Sequence, residues 1–283
     1  MPDLISRNDI LHAGNLARLY LRHYAKGVYP VAALDRERWS MPVNRLFIPL
    51  RNPNGEANFI RDSRRTCALK VNTLYFIPAG WKAEFRLDRE LYFLSIQNNL
   101  EVFPGVELFS GCGRMLEIPD PPELPELLRL FASPPEELEL AALKAASRIY
   151  ALQTALIDHF PPEEFRGALA LREYRELTGF LEEHGSARRR VSELAARMNE
   201  SREAFSRNFR KHTGITPKQL LDRFLIRKAF ELLNSGCSVK ETAFRLEFSN
   251  EFVFSRFFKQ QMGQSPRLWQ RNNGLFPAPL GSR

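Results

Sequence analysis

Ser201-Arg202-Glu203-Ala204-Phe205-Ser206-Arg207-Asn208-Phe209-Arg210-Lys211 returns in altered form 49 residues further along the chain. Phe205-Ser206-Arg207, Phe209-Arg210 and Gly214-Ile215-Thr216-Pro217 reappear as Phe254-Ser255-Arg256, Phe258-Lys259 and Gly263-Gln264-Ser265-Pro266. Upstream, Val191, Glu193, Ala195 and Arg197 recur as Val239, Glu241, Ala243 and Arg245 at an offset of 48, so the second copy holds one extra residue in its turn. A unit repeated with the same basic and aromatic spacing implies one recognition device used twice.

Local signals give each copy the same shape. Ser192 is the expected cap of a short helix running through Met198, with Leu194, Ala195 and Met198 turned inward. Asn199-Glu200 makes the turn, and Ser201 caps a second helix through His212. On it Phe205 and Phe209, four apart, face the core, while Glu203, Arg207 and Arg210 at i, i+4 and i+7 form an outward stripe with Ser206 beside them. In the second copy Ser238 and Glu241 make a capping box, and that helix runs to Leu246. After Glu247-Phe248-Ser249, Asn250 caps the next helix. Phe254 and Phe258 face inward, and Phe252, Arg256 and Lys259, with Ser255, face outward. A short helix, a tight turn and a second helix with an exposed polar stripe define a helix-turn-helix. Between the copies Thr216, Pro217 and Gln219 start a helix that runs to about Asn234. Its 18 residues span about 27 Å, a rod that can set the two outward helices about 34 Å apart, one turn of B-DNA, and so in successive major grooves.

The charge agrees with this placement. The net charge is +8, and residues 161–283 carry 22 Lys+Arg against 14 Asp+Glu, whereas residues 1–160 carry 19 of each. All the excess positive charge lies in the half with the repeat, which points to a polyanionic partner. Cys67, Cys112 and Cys237 are odd in number and lack CxxC spacing, so they read as free thiols of a cytoplasmic protein. With no apolar leader and no run near 18 apolar residues, neither a signal peptide nor a membrane span is expected.

The first half reads as short strands from Val31 to about Phe109. The clearest is Trp81–Asp88, in which four apolar residues alternate with four charged ones. Arg45–Leu50, Glu56–Arg61, Leu69–Ile77 and Glu90–Ile96 are further strands, separated by turn residues such as Asn52-Pro53-Asn54-Gly55 and Pro78-Ala79-Gly80. Closely spaced short strands favour a sandwich or barrel. The strand order around Tyr75-Phe76-Ile77-Pro78-Ala79-Gly80 resembles the cupin-type sensor domain found ahead of some DNA-binding domains, over residues 15–110. Metal-binding cupins place a His three residues after the Gly of that turn. Here Ala83 stands there, and His12 and His23 are expected outside the strands, so no metal is expected. Trp81, Lys82 and Phe85 are the candidate lining of a small-molecule pocket; the alternative is that the aromatics are core and Lys82 is solvated. Next, Ser133-Pro134-Pro135-Glu136 opens a helix whose apolar residues Leu138, Ala142, Ala145, Ile149, Leu152, Leu156 and Phe160 share a face. That face packs on its own domain or on a second copy. Pro161-Pro162 marks the expected boundary between domains 1–162 and 163–283.

Residues from about 170 to 272 resemble the AraC/XylS family of bacterial transcription regulators. The match rests on Leu194-Ala195, Ser201, Phe205-Ser206-Arg207, Phe209, Thr216-Pro217, Ala229, Leu232-Leu233, Ala243, Phe248, Phe254-Ser255-Arg256, Phe258-Lys259, Ser265-Pro266 and Trp269. Departures are Glu247 where the family has Gly, Leu225 where it has Arg, and Gln270 where it has Arg. The resemblance implies an α+β chain: a cupin-like barrel or jelly roll plus helices, then an all-α domain. That domain holds helix-turn-helix units at about 191–211 and 238–260, joined by a helix at about 217–234. It implies base-edge contacts by Glu203, Ser206 and Arg207, and by Glu251, Phe252, Ser255 and Arg256. Chemistry fits: arginine grips guanine bidentately, Glu203 accepts from cytosine, and Phe252 meets a thymine methyl. Arg202, Arg210, Lys211, Asn250 and Lys259 are expected on phosphates. The implied partners are double-stranded DNA, a small-molecule effector such as a sugar, a second copy of the chain and RNA polymerase, with no cofactor and no membrane. The expected function is a ligand-controlled transcription regulator rather than an enzyme. The alternatives are a first half that only dimerises or binds a protein, and a metal-dependent cupin enzyme joined to a DNA-binding module.

Overall fold

The computed structural model describes residues 17–28, 34–39, 41–103, 105–130, 135–262 and 265–272. Ten strands form the first half: β1 (Arg18–Gly27), β2 (Leu34–Trp39), β3 (Asn44–Arg51), β4 (Phe59–Arg61), β5 (Thr66–Ala68), β6 (Thr73–Ile77), β7 (Ala83–Leu87), β8 (Tyr92–Phe103), β9 (Val106–Glu107) and β10 (Leu116–Pro119). They make a six-stranded sheet, ordered β1-β8-β3-β6-β10 with β9 beside β8, and a four-stranded sheet, ordered β2-β7-β4-β5. The pairings are antiparallel.

The two faces of the larger sheet explain its sequence. Phe47, Tyr75, Ile77 and Phe93 point between the sheets and meet Ile60, Cys67, Phe85 and Leu87 of the smaller one. Leu46, Ile48, Leu74, Phe76, Leu94 and Ile96 point the other way, under helix α2 (Leu138–Leu156). A sheet covered on both faces needs apolar residues at every position rather than at alternate ones. The smaller sheet is wet on its outer side, so β7 keeps the alternation: Ala83, Phe85 and Leu87 are buried, while Glu84 and Arg86 are not. Helix α2 buries Ala145, Ile149, Leu152 and Leu156 toward the larger sheet, so the predicted apolar face packs on its own domain from Ala145 onward, whereas Leu138 at its start is 50% exposed. The predicted cap Ser133-Pro134 lies outside the described residues, as does His12; a 3-10 turn at Pro135–Glu137 precedes α2.

Several boundaries differ from the sequence reading. His23, expected outside the strands, lies in β1, opposite Gln97 of β8. Glu56 falls in a 3-10 turn, and only Phe59–Arg61 pairs as strand. Of the predicted strand Leu69–Ile77 only Thr73–Ile77 is strand, as β6, because the chain turns at Asn72 with a φ of 56°; β5 ends before it, at Ala68. Strand β8 runs past Ile96 to Phe103, since its polar residues there are buried and paired.

The helical half begins at α3 (Pro162–Ala170), after α1 (Leu124–Arg129) and α2 of the first half. α3 faces two ways. Phe165 stacks edge-on with Phe109 and Phe160 of the first half, and Ala168 joins the core of Phe205 and Phe209. Then follow α4 (Arg175–His184), α5 (Val191–Arg197), α6 (Arg202–Thr213), α7 (Pro217–Asn234), α8 (Val239–Arg245), α9 (Glu251–Met262) and α10 (Pro266–Asn272). α7 is the central post. It buries Leu221, Phe224, Leu225, Ile226, Ala229, Phe230 and Leu233, packing on both helix pairs. Its start is a full capping box: Gln219 N–H donates to Thr216 Oγ1 at 3.2 Å, and Thr216 N–H donates to Gln219 Oε1 at 2.7 Å.

Candidate nucleic-acid interface

Each outward helix is fixed by caps and by a phenylalanine pair. Ala204 N–H donates to Ser201 Oγ at 3.2 Å, which starts α6, and Gly214 at a φ of 76° closes it. Phe205 and Phe209 are fully buried with ring centroids 5.4 Å apart, and Tyr174 meets Phe209 edge-on at 4.7 Å. The preceding helix α5 is capped differently from expectation. Its N-cap is Arg190, not Ser192, and Glu193 accepts the Arg190 N–H at 3.2 Å. Glu193 has the length to reach back over the first turn and also takes Arg189 at 3.1 Å; Ser192 lies inside that turn.

With α6 so fixed, Arg202, Glu203, Arg207, Arg210 and Lys211 are exposed and Ser206 is half-buried. The first half of the predicted interface therefore comes together: Arg202, Glu203, Ser206, Arg207, Arg210 and Lys211 line one groove against Thr216–Lys218 at the start of α7. Lys218 is an addition the sequence reading missed. It is the second residue of α7 and pairs with Asp222 at 2.7 Å.

Helix α9 repeats the arrangement. Asn250 Oδ1 accepts from Phe252 N–H and Val253 N–H, both at 3.0 Å, so its carbonyl is committed to the cap and only its amide N–H faces outward chemistry. Phe254 and Phe258 are fully buried. Arg256 and Lys259 are exposed, Glu251 and Ser255 are half-buried, and Phe252 stands 75% exposed. Phe244 on α8, 83% exposed, was also missed. Its neighbours Thr242 and Ala243 are buried, which turns it to the outer side. Among the described residues, Arg202, Arg207, Arg210, Lys211, Arg256 and Lys259 have no carboxylate partner. Six unneutralised cations on two matched helices form a surface that favours an anion.

Glu247, where Gly was expected, adopts a φ of 57° in the turn between α8 and α9. The turn therefore keeps the left-handed geometry for which glycine is the relaxed choice. Gln270, in place of Arg, donates from Nε2 to Cys237 O at 2.8 Å and is buried, so it ties α10 to the start of α8 and offers nothing to a phosphate. Leu225, also in place of Arg, is buried in α7.

In the first half the three candidate pocket residues do not converge. Trp81 and Phe85 are inside the sandwich, with Trp81 Nε1 donating to Gly113 O at 3.2 Å, whereas Lys82 is exposed on the opposite side of the chain. Other polar groups do sit between the sheets. Arg45, 3% exposed, donates to Ser95 Oγ at 2.9 Å and stacks on Phe47, and Gln97 beside it keeps Oε1 without a hydrogen bond among the described residues. A second polar group lies at the cleft between the halves, a space of about 90 Å³ lined by Asn99, Glu107, Phe224 and Arg227 among others. Burial pushes the Glu107 carboxyl up to about 7, although Asn44, Asn99 and the Phe109 N–H all donate to it. Among the described residues, no three His, Cys, Asp or Glu side chains gather as a metal site, and no helix is long and apolar enough to cross a membrane.

Paired caps, paired phenylalanines and a shared central helix make the second half a double helix-turn-helix domain behind a β-sandwich, and a helix-turn-helix domain model matches residues 194–272. Residues 194–272 are thus a helix-turn-helix domain of the AraC type. The transcriptional activator RhaS of Salmonella schwarzengrund is 34% identical over 93 residues, as is RhaS of Klebsiella pneumoniae. These matches cover 32% of this chain and span about a third (34%) of the relatives' length. The whole chain is similar in fold to ToxT of Vibrio cholerae, solved with an unsaturated fatty acid bound, at a TM-score of 0.54 and 10% identity, covering 93% of this chain and 98% of that one.

Proposed function

We propose that this protein is a sequence-specific DNA-binding transcription regulator that sets α6 and α9 in successive major grooves, with residues 163–283 as the DNA-binding domain. The observation that carries the proposal is the repeated outward face: two helices anchored by the same buried phenylalanine pair, each presenting arginine, serine and an acidic or apolar side chain outward. In this reading Arg207 and Arg256 take guanine edges, Glu203 takes cytosine and Phe252 a thymine methyl. Glu251 and Ser255 stand beside them, and Ser206 supports Arg207. Arg202, Arg210, Lys211 and Lys259, with the Asn250 amide, take phosphates. The test is quantitative binding of purified protein to its best site and to random DNA, that site being found by sequencing the genomic fragments it retains. Arg207→Ala is expected to cost about 1–3 kcal/mol on the specific site and to relax preference at one base pair. Equal losses on specific and random DNA would remove Arg207 from the reading face.

We further propose that the β-sandwich binds a small effector, a sugar or related metabolite, between its sheets. Buried Arg45, Ser95 and Gln97 among Phe47 and Phe93 support this, because a polyhydroxyl ligand needs buried donors and acceptors beside aromatic faces. Trp81 and Phe85 belong to the same interior and Lys82 does not. ToxT's fatty acid belongs to a protein of similar fold, whereas the side chains here favour a more polar ligand. The second reading, a first half that only dimerises, draws on the outer side of α2, where Leu140 and Leu143 are 63% and 67% exposed. Loss of sugar-dependent DNA binding in Gln97→Leu favours the effector site. Binding unaffected by any sugar favours the second reading.

A further inference from the structure

The two halves meet through a square of four charges. Arg22 of β1 and Glu101 of β8 belong to the sandwich; Arg227 and Glu231, one turn apart on α7, belong to the helical domain. Each charge has a partner in both halves. Across the boundary, Arg22 pairs with Glu231 at 2.9 Å and Arg227 with Glu101 at 3.1 Å. Within each half the separations are longer, 3.7 Å for Arg22–Glu101 and 3.6 Å for Arg227–Glu231. Glu101 is 1% exposed and both arginines are 11% exposed, so solvent screens little of the Arg227–Glu101 pair, whereas Glu231, 36% exposed, leaves its own pairs partly screened.

Two local features aim the corners. The β1–β8 register slips by one residue between Leu21 and His23, and Arg22 is the residue left over, turned toward α7 by the bulge. Glu101 continues the row Phe93, Ser95, Gln97 and Asn99 on one side of β8, so the sandwich interior and the square share a strand face. Asn99 Oδ1 accepts from Arg22 Nε at 3.0 Å, and Glu101 accepts the Gly105 N–H at 2.7 Å. Arg227 has a further partner in its own half, Glu182 of α4.

We propose that this square is an exchange latch: the halves separate by trading the two cross-boundary ion pairs for the two internal ones. A buried ion pair broken outright leaves an uncompensated charge, which makes such a contact a lock. Here neither arginine loses its carboxylate on opening. Arg227 keeps Glu182 and Glu231, and Arg22 falls back on Glu101. The atom that would tighten on Glu101, Arg22 Nη2, is buried without a hydrogen bond among the described residues while the latch is closed. The apolar part of the contact lies beside the square rather than within it: Gly105 approaches the Phe224 ring, Val106 shares a core with Leu220, and Phe165 of α3 stacks on Phe109. Because both exposed reading faces lie away from the square, closing it fixes the sandwich on α7 without covering them. The latch concerns domain closure and stands whether or not the sandwich takes an effector.

The test is a distance measurement between spin labels on the full chain without DNA, at Glu56→Cys and Gln260→Cys in a Cys237→Ser background. Cys67 and Cys112 are buried, and their thiols are pushed up to about 11 and about 12, so they do not take the label. The parent gives one narrow peak. Glu101→Gln is expected to lose it, giving a broad distribution at longer distance, and Arg22→Met is expected to do the same should Glu101→Gln fail to fold. Glu182→Gln, which removes a fallback partner of Arg227 and no cross-boundary pair, is expected to keep the narrow peak. A narrow peak in both Glu101→Gln and Arg22→Met, or broadening in Glu182→Gln equal to that in Glu101→Gln, overturns the latch.

Discussion

Glu247 holds a backbone conformation that its side chain resists. The left-handed region costs an L-residue about 1–2 kcal/mol, and glycine escapes most of that while adding some freedom to the unfolded chain. Its side chain is exposed, and the turn's hydrogen bond, Glu247 N–H to Phe244 O at 3.0 Å, is made by backbone. Glu247→Gly is therefore expected to raise the stability of the second helix-turn-helix by a net 0.5–1 kcal/mol, roughly, read as a higher melting temperature with DNA affinity retained. Glu107 is the opposite case, a carboxyl that burial pushes from 4.5 up to about 7. The unfolded chain releases this proton first, so the folded state holds a stabilising proton below pH 4.5 that it loses as pH rises toward 7. Stability from this group is thus greatest in acid, declines between about pH 4.5 and 7, and is flat above. Against Glu107→Gln, which cannot titrate, the parent should lose about 3 kcal/mol of relative stability across that window. A parallel pair of melting curves from pH 4.5 to 7.5 would place the shift elsewhere.

Helix α2 separates what packs from what is left over. Ile149, Leu152 and Leu156 are buried on the sheet, yet Leu138, Leu140 and Leu143 remain exposed along the N-terminal half. If that surface joins two chains, Leu143→Glu buries a charge in the dimer and is neutral in the monomer. It should shift the mass measured by light scattering from dimer to monomer while leaving the melt of the sandwich unchanged. Elements of this kind were legible to the extent that their determinants are local. Caps such as Ser201, Thr216, Ser238 and Asn250 sit within three residues of the groups they satisfy, and the spacing of Phe205 and Phe209 is a property of one helix. Strand β7 could be read because its outer side is wet. Strand β8 could be followed only to Ile96, because Gln97, Asn98, Asn99 and Glu101 look like a turn in sequence and are buried in the fold. Their partners, Arg22, Gln153 and Arg227 among them, are brought together only by tertiary packing. The interior group of Arg45, Ser95 and Gln97 and the interdomain square were out of reach for the same reason, whereas the outward sides of α6 and α9 were not.

At the scale of the molecule, charge is sorted by use. The helical half holds the whole excess of +8, but not every cation there is available to a polyanion. Arg189, Lys218 and Arg227 have carboxylate partners at 3.1, 2.7 and 3.1 Å, so DNA gains little from them unless those pairs are given up. Arg202, Arg210, Lys211 and Lys259 have none among the described residues and lie on α6 and α9. Each phosphate neutralised releases condensed counterion, so four such contacts per chain predict that log K falls against log salt with a slope of about −3 to −4, doubled if two chains bind together. Lys259→Ala should make the slope less negative by about 1 and weaken specific and random DNA alike, because a phosphate contact carries no base information. Glu101→Gln should leave the slope where it was, since the square it disrupts exchanges partners inside the protein and releases no ions from DNA. A slope that responds to Glu101→Gln as strongly as to Lys259→Ala would mean that freed Arg22 or Arg227 reaches the duplex, and the reading faces would then have to be drawn to include the domain boundary.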